Sequence, residues 1–195
     1  MTASAIVART SSADETRALA AALSTVLRPG DLVLLVGDLG TGKTTFSQGL
    51  AAGLGVTESV TSPTFTLVRA YRCHSSGDRG AIRTLLHADL YRLDRLQDVV
   101  ELGLGEMVED DAVAVIEWGD VAGSLFGHEA LTVRLSAAAT PAERADDERA
   151  DEERADEERA DEERADEERT VTVEPDGSWW ARSDALAERL RRWKA

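Results

Sequence analysis

Five consecutive apolar residues, Leu32 to Val36, run without a break into Gly37-Asp38-Leu39-Gly40-Thr41-Gly42-Lys43-Thr44. A short run with no polar alternation is what a strand covered on both faces requires. The eight residues after it satisfy the Gly-x-x-x-x-Gly-Lys-Thr phosphate-loop pattern in full. The next stretch, "TTFSQGLAAGLG", is helix-like, with Phe46, Leu50 and Leu54 near one face and Gly55 as a C-terminal stop. Strand, glycine-rich turn and helix in this order restrict the chain to the α/β class, with the turn at the carboxyl edge of a sheet.

The chemistry of that turn follows from its residue types. Its glycines let the backbone fold so that successive N–H groups, from Asp38, Leu39, Gly40, Thr41 and Gly42 onward, point at phosphate oxygens, and the helix N-terminus adds partial positive charge. Lys43 would reach the β and γ phosphates, and the Thr44 hydroxyl would bind Mg²⁺. A phosphate loop alone is half a site, since Mg²⁺ also needs a carboxylate and hydrolysis needs a positioned water. Asp89 ends the run "TLLHAD" and Glu117 ends "AVAVIE", so both acids fall at strand ends where such ligands gather. "TSPTF", Thr61 to Phe65, lies where many nucleotide switches place a hydroxyl near the γ-phosphate, although Ser-Pro-Thr is also ordinary turn material. His87 is within reach of Asp89 along one strand face, Trp118 reads as packing, and His74 and His128 lie in polar stretches that carry no signal.

Elsewhere the pattern is that of one compact α/β unit. "SSADETRALAAALSTVL" is a helix in which Ser12 and Glu15 have capping-box spacing, ended by Pro29-Gly30. "TFTLVRAYR" (Thr64 to Arg72) and "AIRTLLHADLY" (Ala81 to Tyr91) flank the polar loop "CHSSGDRG" as a hairpin. "RLQDVVELGLGEMVEDD" reads as helical and leads into the strand "AVAVIEW". "ALTVRL" (Ala130 to Leu135) and "RTVTVEP" (Arg169 to Pro175) are strands, and "SDALAERLRRWK" is an amphipathic helix with Leu186, Leu190 and Trp193 on one face. Between those strands, residues 144–169 repeat "RADEE", with six arginines against fifteen acids, so nine of the fifteen net negative charges sit there. The repeat has almost no surface to bury, and is expected to be a solvated helix or a disordered insertion in a long hairpin loop. The rest of the chain is only mildly acidic, which argues weakly against a large duplex-binding face.

Length and chemistry narrow the class further. The 195 residues suit a single α/β domain, 1–195, with a mixed β-sheet flanked by helices and the charged low-complexity insertion. The N-terminus lacks the order of a signal peptide, no apolar run approaches a membrane span, and the lone Cys73 has no internal partner, so the chain is expected to be soluble and cytoplasmic. No Asn-Lys-x-Asp guanine reader is present, no arginine-rich lid of a small nucleoside kinase follows the loop, and no room remains for the helical lid of a ring ATPase.

Five blocks, "GDLGTGKTTF", "TSPTFTLV", "HADLYRL", "ELGLGEM" and "IEWGD", in this order and spacing, closely resemble the TsaE (YjeE) family over roughly Ser12 to Leu135. The resemblance implies an ATP-binding P-loop NTPase-like fold with weak, partner-dependent ATPase activity. The family acts with TsaB and TsaD in threonylcarbamoylation of the tRNA adenosine beside the anticodon. The transfer chemistry belongs to TsaD, and tRNA is met only through the complex. It also implies that Lys43 and Thr44 hold phosphate and Mg²⁺, that Glu117 helps hold Mg²⁺, that Asp89 is needed for hydrolysis, that Thr45 contacts phosphate and that Trp118 lies beside the nucleotide. Thr41 stands where alanine is usual, a change expected to fit because that position contributes mainly backbone. The acidic repeat is not part of the family pattern. The residues also admit two other readings: a small-molecule kinase with Asp89 as base, and a binding module without meaningful turnover, in which the two acids merely hold metal.

Overall fold

The computed structural model describes residues 5–63, 66–74, 82–91, 93, 96–101, 103, 107–108, 111–119, 123, 126, 129–137 and 168–195. Strands β1 (Ile6–Thr10), β2 (Leu32–Val36), β3 (Val68–Arg72), β4 (Thr84–Asp89), β5 (Ala112–Glu117), β6 (Ala130–Ala137) and β7 (Arg169–Glu174) form one mixed sheet in the order β1-β7-β6-β2-β5-β4-β3. Strand β2 runs parallel to both β5 and β6, and β4 runs parallel to β5. The outer pairs β3–β4, β6–β7 and β1–β7 are antiparallel. The apolar runs that flagged β2 and β5 thus lie in the parallel centre, where both faces are covered.

One face carries α1 (Ala13–Ser24), α2 (Lys43–Gly53) and α4 (Ser183–Leu190). Their Leu19, Leu23, Phe46, Leu50, Leu186 and Leu190 pack with Val33, Leu35, Val113, Val115, Val133 and Val171 of the sheet. The opposite face buries Leu34, Leu86, Ala88, Ala114 and Ile116 with Leu90 and Val108. Of the helix expected over residues 95–111, α3 (Leu96–Glu101) forms, and Gly103, with φ 63°, is a turn that interrupts it. The start of α1 is capped over two residues: the Ser12 hydroxyl accepts from the Glu15 N–H, while the Glu15 carboxylate accepts from the N–H and hydroxyl of Ser11. The Ser11 amide, and then its hydroxyl, hold the exposed Glu15 carboxyl below the usual range. Helix α1 stops at Ser24, short of the patterned Val26 and Leu27, although Leu27 still enters the core.

Sequence patterning and structure also differ at two strands. Strand β1 has no counterpart in the reading above; Ile6, Ala8 and Thr10 point inward while the residues between are exposed. Its outer edge meets the C-terminus, with an Ala8–Lys194 bridge and the Ala195 N–H donating to Val7 O, which leaves less bare edge for another chain. Strand β3 begins at Val68 rather than Thr64, because Thr66 and Leu67 turn back on Pro63 and Leu67 has φ 59°. Residues Thr64, Phe65, 75–81 and His128 lie outside the described residues. So does the repeat up to Glu167, but Ala137 at the end of β6 pairs with Arg169 at the start of β7, the hairpin arrangement expected of that connection.

Among the described residues no helix is long and apolar enough to cross a membrane. Burial pushes the Cys73 thiol up to about 11, so little reactive thiolate exists near neutrality. At pH 8 the folded protein is expected to react with a disulfide reagent roughly 10–100-fold more slowly than the denaturant-unfolded chain, with the rate climbing as pH approaches the raised value. Equal rates for folded and unfolded protein would contradict the buried thiol.

Candidate functional site

The loop between β2 and α2 is shaped by close approach. At Gly37 (φ 151°) a Cβ would overlap the Leu135 carbonyl oxygen and lie 2.8 Å from Thr41 Oγ1. At Gly42, the left-handed N-cap of α2 (φ 94°), a Cβ would come within 3.1 Å of Arg169 Nε. The space excludes a side chain at Gly37, and the left-handed backbone angle favours glycine at both positions. The Thr41 hydroxyl donates to Asp38 O at 2.9 Å and is buried, so its side chain ties the loop across its base. That goes beyond the backbone role expected of the position. Leu39 is exposed at the loop tip, and Gly40 supplies a second left-handed turn (φ 73°).

Lys43 begins α2 and folds back under the loop. Its ammonium donates to Gly37 O (2.8 Å) and Asp38 O (2.7 Å) and sits 3.8 Å from the centroid of the Trp118 ring. Trp118 follows β5 in a left-handed conformation (φ 58°), an unusual cost for a bulky residue that places its indole at the sheet edge. Tyr91 meets it edge to face at 4.8 Å. Thr45 is buried in the first turn of α2 beneath Gly42.

The two acids picked out by their strand ends are neighbours. In the parallel β4–β5 pair, Asp89 stands opposite Glu117 at the carboxyl edge, next to the loop that leaves β2. The Glu117 carboxylate accepts from Thr44 Oγ1 at 3.0 Å through Oε2, and from Ser47 Oγ (3.2 Å) and His87 Nε2 (2.7 Å) through Oε1. Asp89 accepts the Ser62 hydroxyl on Oδ2 at 2.5 Å and the Tyr91 N–H on Oδ1 at 3.0 Å. Ser62 of the Thr-Ser-Pro turn is therefore held against the Asp89 carboxylate. His87, by contrast, bonds Glu117 and not Asp89, because the imidazole reaches across to the neighbouring strand.

Thr44 Oγ1 and Glu117 Oε2 together make a hard-oxygen pair suited to Mg²⁺, which keeps several waters and takes further ligands from phosphates.

A family model described as "Threonylcarbamoyl adenosine biosynthesis protein TsaE" matches residues 10–145. The chain belongs to the TsaE family. The match ends where the charged repeat begins, and it contains the loop, Ser62, His87, Asp89, Glu117 and Trp118. Proteins titled "tRNA threonylcarbamoyladenosine biosynthesis protein TsaE" from Bacillus subtilis and Treponema pallidum are 36% and 40% identical to this TsaE-family chain. The first alignment covers 67% of this chain and 77% of the relative, the second 66% and 89%. A solved structure titled "Crystal structure of Bacillus subtilus YdiB" superposes with a TM-score of 0.64 at 29% identity, covering 98% of this chain and 97% of the other. That superposition extends the likeness through β7 and α4, beyond the family-model match.

Three site residues had no signal of their own in the sequence. Ser47 lies inside an ordinary helical run, the spacing of His87 points toward Asp89 rather than Glu117, and Arg169 stands where the repeat meets the strand run "RTVTVEP". In the structure Arg169 is buried against Gly42 of the phosphate loop.

Proposed function

We propose that this chain is the ATPase accessory protein of tRNA threonylcarbamoylation, binding and hydrolysing Mg–ATP in association with TsaB and TsaD. The observation that carries the catalytic half is the side-by-side placement of Asp89 and Glu117 beside the loop, with Glu117 bonded to the Thr44 hydroxyl. The five sequence blocks and membership of a family described by threonylcarbamoyl adenosine biosynthesis support the tRNA-modification half.

In this reading the backbone N–H groups of residues 38–45 hold the β and γ phosphates, and Lys43 leaves the carbonyls of Gly37 and Asp38 to reach them. Thr44 Oγ1 and Glu117 Oε2 hold Mg²⁺, which, when bound, offsets charge on the phosphate oxygens. Asp89, with both oxygens fixed by Ser62 and the Tyr91 N–H, orients the attacking water and accepts its hydrogen. Trp118 and Tyr91 wall the site against bulk water. TsaD performs the transfer to tRNA, and the nucleotide state here governs the TsaB–TsaD complex.

The test is phosphate release with and without purified TsaB–TsaD. Stimulation by the pair is expected, and Asp89→Asn should lower turnover by about 100- to 10,000-fold, in the range of a lost general base, with nucleotide affinity little changed. Release that ignores the partners, together with phosphate transfer to a metabolite, would instead make the protein a small-molecule kinase.

A further inference from the structure

The Glu117 carboxylate divides its work between its two oxygens. Oε2 faces Thr44, where a cation would be shared. Oε1 faces inward, to Ser47 and His87. A carboxylate only accepts, so the 2.7 Å contact places the imidazole hydrogen on Nε2. Ser47 is the weaker anchor, because its one hydroxyl hydrogen is shared between Glu117 Oε1 at 3.2 Å and Lys43 O at 3.1 Å. His87 is fully buried on β4, in register with Val115 of β5, and makes the shorter contact. Among the described residues no group pairs with His87 Nδ1. Burying an unsatisfied nitrogen is unfavourable, and a leucine or phenylalanine would fill a merely structural position without that cost.

We propose that His87 is a positioning residue for the metal site: by anchoring Glu117 Oε1 it fixes the carboxylate so that Oε2 and Thr44 Oγ1 face the cation, and it touches neither metal nor nucleotide. This rests on the Mg–nucleotide reading of the site. Outer-layer partners of metal-ligating carboxylates act in this way, aiming the ligand before the ion arrives. The geometry also limits the role, since the imidazole bonds Glu117 while the Asp89 oxygens are held by Ser62 and the Tyr91 N–H, so its loss should affect metal capture before it affects the water-orienting acid.

Mn²⁺ serves as the probe, titrated by electron paramagnetic resonance into full-length protein saturated with a non-hydrolysable ATP analogue, with analogue affinity measured separately in chelator. His87→Leu is expected to weaken Mn²⁺ binding by about 10–100-fold, the usual cost of losing such a partner, while metal-free analogue affinity stays within about twofold of wild type. His87→Gln, whose amide nitrogen can take the place of Nε2, should recover most of that loss, whereas the shorter His87→Asn should not. If Gln and Asn weaken Mn²⁺ equally, or if analogue affinity in chelator falls in parallel, the positioning role is overturned; this comparison stands even should His87→Leu fail to fold. Glu117→Gln in the same titration separates the two ideas. A large loss there with normal His87 variants sinks only the positioning role. No Mn²⁺ binding by wild type, or none lost in Glu117→Gln, sinks the metal-site reading and the positioning role with it.

Discussion

Lys43→Ala is expected to lower affinity for Mg–ATP by roughly 100- to 1,000-fold and to bring turnover below detection. The ammonium is almost buried, donates to two loop carbonyls and rests on the Trp118 face. A phosphate that enters the loop would take over those donors, and a hydrogen bond from a charged group contributes about 1.5–3 kcal/mol. Two such contacts account for the expected loss. Lys43→Arg should not rescue it, because a planar guanidinium is bulkier than the compact ammonium that meets both loop carbonyls and the indole, and presents its donors as a fixed fork. The fold should persist, since the hydrophobic core beneath α2 is formed by Phe46 and Leu50 and not by Lys43. Calorimetric titration of the analogue into wild type and both variants checks this, and an affinity within threefold of wild type in Lys43→Ala would contradict the phosphate-binding role.

The parts of the site legible in the sequence are those where local chemistry and local chain geometry coincide. The phosphate loop is contiguous, so its glycines, lysine and threonine declare themselves together. Asp89 and Glu117 are far apart in the chain, but each follows an apolar strand, and parallel strands ending at one edge place their terminal acids side by side. What the sequence could not disclose is which side chains reach across strands. His87 sits two residues from Asp89 on one strand face, so one-dimensional spacing favours that pair, while the register with β5 sends the imidazole to Glu117. Arg169 belongs in sequence to the charged repeat, and only its place at the start of β7 reveals that it backs Gly42. The edge strand β1 escaped for a related reason: five residues containing Ala8 and Thr10 on the inner face carry a weak alternation, and the pairing partner β7 lies at the other end of the chain.

The same limit hid the contact that ties the C-terminal segment to the sheet, and it supports a second large effect, this time on stability. Asp31, immediately before β2, accepts from both terminal nitrogens of Arg182 at 2.6 and 2.7 Å and from the Arg28 N–H at 2.6 Å. Arg182 also donates to Val26 O and lies 3.7 Å from the centroid of the fully buried Trp179 ring. Both charged side chains are nearly excluded from water. In such a setting the pair's net contribution is small compared with the cost of breaking it, because the remaining charge stays buried without its partner. Arg182→Met is therefore expected to destabilise the protein by about 3–5 kcal/mol, which for a chain of this size lowers Tm by roughly 6–20 °C. Asp31→Asn should be similarly harmful, and the double variant should cost at least ~1 kcal/mol less than the sum of the two singles, the mark of coupled groups. Asp31 lies at the opposite end of β2 from the phosphate loop, so below the unfolding transition nucleotide affinity should match wild type. Thermal and urea unfolding of the three variants measures the coupling. A loss under ~1 kcal/mol for Arg182→Met would place the pair with solvent-screened surface ion pairs, and the attachment of the C-terminal segment would then rest on the buried Trp179, Leu186, Leu190 and Trp193 and on the contacts of Lys194 and Ala195 with β1.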